Sequence, residues 1–357
     1  MGTSNRDMVD GAARTQLNAD LAALHCRVHD PGDPPLFTRE PQSSMQPCHW
    51  RWRDLWPLLQ RLGQELAIGS GGQRRTLRLA PPGLPYGTTP TFWGSIQVVM
   101  PGEVAAAHRH TANAFRWITH GGTGITTSTV NGERCVMSQG DLVLTPAMTW
   151  HDHEYHGEEP MVWLDGLDIS LMRSLHACFF DPYPEAKQPV LESGDGSSRQ
   201  WASGMMRPPG VQAPAVNPLL LYPRARSEEA LAAAASQSSD PCDDTILEFC
   251  NPATGGAAMT TLGMCLQRLR PGFVGRPRRH TGSKLYQVVR GQGVTVVAGM
   301  RFEWEQGDYF VIPPWAWHEH ANASGTEEAV LFHVNDFPTL RALGYYREEL
   351  APAAGLS

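Results

Sequence analysis

Apolar positions along the chain follow two registers, and the change between them falls near residue 76. In His49–Ala67, Trp52, Leu55, Trp56, Leu59 and Leu62 recur at helical spacing, which predicts an amphipathic helix that Pro57 kinks or restarts. From Thr76 the runs shorten and alternate with period two, as strands with one buried face do. Arg74–Leu79 alternates in this way, Thr91–Val99, Phe115–Thr119 and Met161–Ile169 also read as strand segments, and Asn131-Gly132 between Thr126–Val130 and Arg134–Met137 predicts a tight hairpin. Residues 1–45 carry little pattern, and the Pro/Gly/Asp cluster at 30–35 forces irregular chain. A partly disordered N-terminal arm is expected there. Residues 181–245 read as connecting material, except that Ser227–Ala235 predicts a short helix with Ser227 as its N-cap. Strands resume at Leu262.

The strand-rich halves repeat. Gly272–His280 aligns with Gly102–His110 at an offset of 170, and Gly307–His320 aligns with Gly140–His153 at 167. Two separate blocks at nearly one offset indicate a duplicated β-rich domain. The expected organisation is an arm over 1–48, a first domain with its preceding helix over 49–180, a linker over 181–245, a second domain over 246–345 and a tail over 346–357.

Composition narrows the function classes. A net charge of −7 on 357 residues leaves no basic footprint for nucleic acid or anionic membrane. No apolar run is long enough to span a bilayer, and the polar first twenty residues do not resemble a signal peptide. The seven cysteines are odd in number, scattered and without a C-x-x-C pair, which fits reduced thiols in a cytoplasmic protein. High glycine and proline content, 35 and 29 residues, suits many short strands joined by turns.

The candidate chemistry sits in residues 102–153. His108 and His110, one residue apart on a strand, project from the same face. His151 follows a turn and buried strand, Gly140–Pro146. Three neutral imidazoles converging from two strands form a half-shell for a first-row transition metal. In the second half the position of His108 is Arg278, which cannot lose its proton and cannot ligate. The second domain is therefore expected to be metal-free. Arg116 shares strand parity with the histidines and faces Tyr286 in the repeat, so its charge is peculiar to the site-bearing half. It is the candidate to pair with a substrate carboxylate. His153 shares a face with His151 and could hydrogen-bond a substrate oxygen as acid or base. Its counterpart His320 in the other half argues equally for packing.

These blocks resemble the two cupin motifs: Gly102, His108, His110, Gly140, Pro146 and His151 match, while Met148 replaces a motif glycine. The chain is more particularly similar, over roughly residues 50–345, to the gentisate 1,2-dioxygenase family of bicupins, which includes salicylate and 1-hydroxy-2-naphthoate dioxygenases. Gln97–His110, Trp150–His153, Trp163–Asp168, Asn251–Gly256 and Trp317–His320 carry the resemblance. It implies a mainly β bicupin, two tandem jelly-roll-like barrels with a few flanking helices. It also implies Fe(II) on the three histidines, and a small aromatic hydroxy acid and O2 as reactants. The ring would be cleaved between the carboxyl-bearing and hydroxyl-bearing carbons without an external reductant. Many cupins add a glutamate ligand four or five residues after the second histidine. Here those positions are Ala114 and Phe115, which leaves about three positions open on an octahedral metal for a bidentate substrate and O2. The family's pocket further suggests Trp93, Gln97 and one or more of Arg74, Arg75 and Arg78 for substrate, with Asp165 orienting a pocket group. Trp93 could equally be core and Asp165 could cap a turn. The substrate reading is gentisate, with a salicylate-type or substituted salicylate enzyme as runner-up. A non-catalytic ligand-binding bicupin is the alternative from another class. A homo-oligomer, dimer or tetramer, is expected.

Overall fold

A computed structural model describes residues 5–29, 32–67, 75–121, 126–191, 194, 196–205, 214, 216–237 and 239–352, with backbone alone for 5–12. The chain divides into two compact units, Met1–Gln42 and Ser43–Ser357. The first contains an α-helix, Asn5–Ala23, in a stretch expected to be without pattern.

The second unit contains both barrels, each a six-stranded sheet against a five-stranded one. In the first barrel the six-stranded sheet runs, edge to edge, Leu221–Tyr222, Leu142–Thr145, Ala114–His120, Met161–Leu167, Trp93–Val99 and Thr76–Arg78. The five-stranded sheet runs Phe180–Pro182, Val104–His110, His151–Tyr155, Thr126–Val130 and Glu133–Met137. The Asn131-Gly132 turn has φ of 47° and 85°, the left-handed pair that matches the twist of a two-residue hairpin.

The six-stranded sheets of the two barrels pack against each other. Their central strands are therefore buried along most of their length on both faces, polar positions included. Phe115, Trp117 and Leu164 of one sheet meet Leu285, Phe332 and Val334 of the other, with Trp117 and Phe332 stacked at 4.3 Å. Alternate residues, such as Ile118 and Trp163, turn into their own barrel. Gly94 is at this contact, where a Cβ would lie 2.2 Å from Leu285. Two reciprocal hydrogen bonds cross the contact: Thr261 donates to Asp168 and Thr91 donates to Asp336, each at 2.6 Å.

The segments flanking the barrels are exchanged between them. Cys48–Trp50 precedes the first barrel but pairs with Tyr309–Val311 of the second. Leu221–Tyr222 precedes the second but pairs with Leu142–Val143 of the first. The helices that follow start in matching ways. The Asp308 carboxylate accepts from Trp52 N at 2.7 Å, and the Asp141 carboxylate accepts from Arg224 N at 2.8 Å. Each aspartate belongs to the barrel receiving the arm, and it satisfies an orphan N–H of the first turn while placing negative charge there.

These contacts move two expected boundaries. The helix predicted from His49 begins at Trp52, because His49 is in the exchanged strand, and it runs unbroken through Pro57 to Glu65. The helix predicted from Ser227 begins at Arg224, so Ser227 is internal rather than an N-cap. The segment read as linker also contributes structure, since Asp181 and Pro182 pair directly with Arg109 and His108, in a strand that starts at Phe180.

Candidate metal centre

His108 and His151 are direct partners across antiparallel strands, and a register shift between Ala105 and His108 re-aims the strand just before the first histidine. Met148 adopts φ of 59°, taking the left-handed conformation of the motif glycine it replaces, and its N–H donates to His110 O at 2.7 Å. That bond ties the turn before His151 to the His108–His110 strand.

The imidazoles converge with ring centroids 4.4, 4.8 and 5.5 Å apart. Among the described residues they are the one group whose ligand atoms could hold an ion, all within 4.8 Å of one another. Each Nδ1 faces a backbone carbonyl: Ala106 O at 2.8 Å for His108, Ala112 O at 3.0 Å for His110 and Thr149 O at 3.0 Å for His151. A carbonyl only accepts, so each Nδ1 carries the proton and each neutral ring presents its Nε2 lone pair. Such backbone bonds to the remote nitrogen are what orient metal-binding histidines. The donor set fits a first-row divalent metal.

A cavity of about 330 Å³ opens over this group, lined by His108, His110, Trp93, Gln97, Arg116, Asp165 and apolar residues. Its size suits a small aromatic ligand. Gln97 is fully buried with neither end of its amide bonded, and Trp93 Nε1 is also buried without a partner. Buried polar atoms of this kind call for a polar ligand. Arg116 is 3% exposed, lies 3.3 Å from the Asp165 carboxylate and donates to Thr145 Oγ1 at 3.1 Å. Burial lowers its pKa, while Asp165 opposes that shift. A larger cavity of about 880 Å³ lies against the second barrel, lined by residues such as Leu219, Phe249 and Leu266. Among the described residues it holds no cluster of ligating side chains, so size alone does not mark the site.

The other expected residues are distributed unevenly. His153 is not in the cavity wall; it packs beneath, 5.6 Å from Trp163 and 5.9 Å from His151. Arg75 is turned away into a bidentate pair with Glu103 at 2.7 and 2.8 Å. Arg78 stacks on Trp93 at 4.8 Å. Arg74 lies outside the described residues. Sequence reasoning missed Thr76, Tyr86, Arg173 and Phe180, all in the wall. Phe180 stacks on the His108 ring at 5.1 Å from the last position of the expected first domain. These four lie in short strands, a loop and a short helix that carry no motif.

The fused barrels and, among the described residues, one three-histidine group define a bicupin with a candidate metal centre in its first barrel. The family model for the cupin domain matches residues 95–167 and 265–335. A 5-aminosalicylate 1,2-dioxygenase from Comamonas sp is 39% identical over 96% of this chain and 94% of its own. A gentisate 1,2-dioxygenase from Streptomyces sp is 36% identical over 95% and 98%. The salicylate 1,2-dioxygenase from Pseudaminobacter salicylatoxidans superposes with a TM-score of 0.86 at 31% identity, over 94% of this chain and 97% of that one. The chain belongs to the gentisate-type 1,2-dioxygenases, oxidoreductases that open the rings of aromatic hydroxy acids with O2.

Proposed function

We propose that this enzyme uses Fe(II) held by His108, His110 and His151 to cleave gentisate, or a closely related 2-hydroxybenzoate, between its carboxyl-bearing and hydroxyl-bearing carbons. One observation carries the reading. Three lone pairs converge beside a small cavity that has His108, His110 and Arg116 in its wall, and Ala114 and Phe115 stand where many cupins supply a fourth, carboxylate ligand. When bound, iron would gather the substrate and O2 on its open positions and relax the spin barrier between them.

The chain's own groups do the rest. The Arg116 guanidinium attracts the substrate carboxylate, and Asp165 holds that guanidinium in place. Gln97 and Trp93 Nε1 offer hydrogen bonds to the ring's polar substituents, and the apolar wall keeps water from the reacting ring. His153 acts on the orientation of His151 and Trp163, beneath the reacting atoms. A second reading, 5-aminosalicylate or another substituted salicylate as substrate, is favoured by the relative at 39% identity. The assembly we propose is a homodimer or homotetramer in the cytoplasm, with metal in the first barrel alone.

Anaerobically purified, Fe(II)-loaded protein mixed with gentisate, salicylate, 5-aminosalicylate and 1-hydroxy-2-naphthoate tests this. Oxygen uptake with a ring-opened chromophore is expected for at least one. No uptake with any of them, at stoichiometric iron, would refute the reading.

A further inference from the structure

At the mouth of the cavity four side chains form a column. The Arg173 guanidinium lies 3.6 Å over the Tyr86 ring, and Tyr86 meets Trp93 at 4.7 Å. Arg78 lies 4.8 Å from the Trp93 ring and 6.0 Å from Tyr86. Tyr86, Trp93 and Arg173 line the cavity, and both arginines are exposed.

Charge at this mouth is not balanced locally. Several exposed or half-exposed arginines elsewhere in this unit, such as Arg109, Arg224 and Arg290, pair with carboxylates, while others, such as Arg53 and Arg134, have no ion pair among the described residues. Among the described residues neither Arg78 nor Arg173 has an ion-pair partner, and the one carboxylate in the cavity wall, Asp165, is engaged with Arg116. The deep guanidinium is thus largely balanced, whereas the two at the mouth are not.

The column is also held in place. Gly87 has φ of +87°, and a Cβ there would lie 2.3 Å from Ser170 Oγ, so the loop carrying Tyr86 closes directly on the helix Ile169–Ser174 that carries Arg173. Leu171 N donates to Thr91 O at 2.9 Å across the same contact. Stacking uses the faces of the guanidinium groups and leaves their in-plane N–H edges to grip a carboxylate.

We propose that Arg78 and Arg173, braced on Trp93 and Tyr86, form an outer docking station that captures the carboxylate of the aromatic acid before it passes inward to Arg116. The inference rests on the proposed function, which supplies the anionic substrate. Two unbalanced cations at a low-dielectric mouth raise the local concentration of anions, by tenfold or more in favourable cases. The effect fades with salt, since the Debye length is about 8 Å at physiological ionic strength. Arg78 and Arg173 are positioning residues, outside the reacting atoms.

The test is anaerobic stopped-flow binding to the Fe(II)-loaded enzyme, read by tryptophan fluorescence, with salicylate and its neutral analogue salicylamide. The R78Q/R173Q double variant is expected to slow salicylate association about tenfold at low salt and to flatten its dependence on ionic strength. Salicylamide association should not change. The R78K/R173K variant, which keeps both charges, should retain the salt dependence. An unchanged salicylate rate in R78Q/R173Q, or equal losses for salicylate and salicylamide, would overturn the docking role. Failure of the functional reading looks different: the wild-type enzyme would bind salicylate with salt-dependent rates, but no hydroxybenzoate would be turned over in air. That result would leave the docking station standing.

Discussion

The His110–His151 pair of the first barrel and the His280–His318 pair of the second have almost the same geometry, with ring centroids 4.8 and 4.9 Å apart. In both barrels a carbonyl accepts from each Nδ1. Even the strained turn is repeated, with Trp315 at φ of 61° in the role of Met148. The barrels differ in what surrounds the pair. Arg278 replaces His108 and is ion-paired with Asp243 and Glu348. Lys284, fully buried, stands at the position of Ala114 and donates to the Tyr286 hydroxyl at 3.3 Å. Tyr286 and His333 replace the Arg116–Asp165 pair on the same two partnered strands. One scaffold thus supports two interiors: a half-shell of lone pairs in the first, and an internal cation facing two of the same lone pairs in the second. Burial, then Lys284, push His280 and His318 well below the usual imidazole range, so their Nε2 atoms remain unprotonated.

If those two replacements are what separate the barrels, reversing them should restore what was lost. The R278H/K284A double variant is expected to bind a second metal ion per chain, measurable by elemental analysis after Fe(II) or Zn(II) loading and desalting. Retention of only one ion would mean that other residues block the site.

Arg116 tests the other side of the comparison. Removing it alone would leave the buried Asp165 carboxylate without the Arg116 counter-charge, a loss of about 3–5 kcal/mol in stability, so both partners are best changed together. The R116Q/D165N variant should fold and bind metal but lose about 10²–10³-fold in kcat/KM, the scale of a fully desolvated charge contact to substrate. A loss below threefold would remove Arg116 from the site.

Lys284 gives the smallest effect, and it is one of stability. Burial, then Arg278, lower its pKa from 10.5 to about 8. Between those values the unfolded chain holds a proton that the folded protein has released, so stability rises with pH across this window. Below pH 8 the buried ammonium costs about 3 kcal/mol, from the fall to about 8 at about 1.36 kcal/mol per pH unit. Replacement by methionine should therefore stabilise the protein most at pH 7, with the advantage shrinking toward pH 10.5. Denaturant unfolding of both proteins at pH 7, 8, 9 and 10 measures it, and a pH-independent difference would contradict the assignment.

What could be read from the sequence is local. The H-x-H spacing, the Asn131-Gly132 turn and the two short blocks that recur in the second half are each written within a few residues, and they define the duplicated barrel and the triad. The arm exchange is not written that way. Cys48–Trp50 and Leu221–Tyr222 are too short to show periodicity, and their partners lie in the other half of the chain. The same holds for Phe180, whose place beside His108 depends on strand pairing rather than on any motif. Arg75 illustrates the limit within a motif-bearing region. Three arginines lie within five residues, and only pairing decides that Arg75 meets Glu103 while Arg78 meets Trp93.

Metal confined to the first barrel is checked by elemental analysis of Fe(II)-loaded wild type, His108→Ala and His280→Ala. The expected counts are one, zero and one metal ion per chain, with the His280→Ala protein no worse than wild type in iron content. Equal iron loss from both variants, or two ions in the wild type, would contradict it.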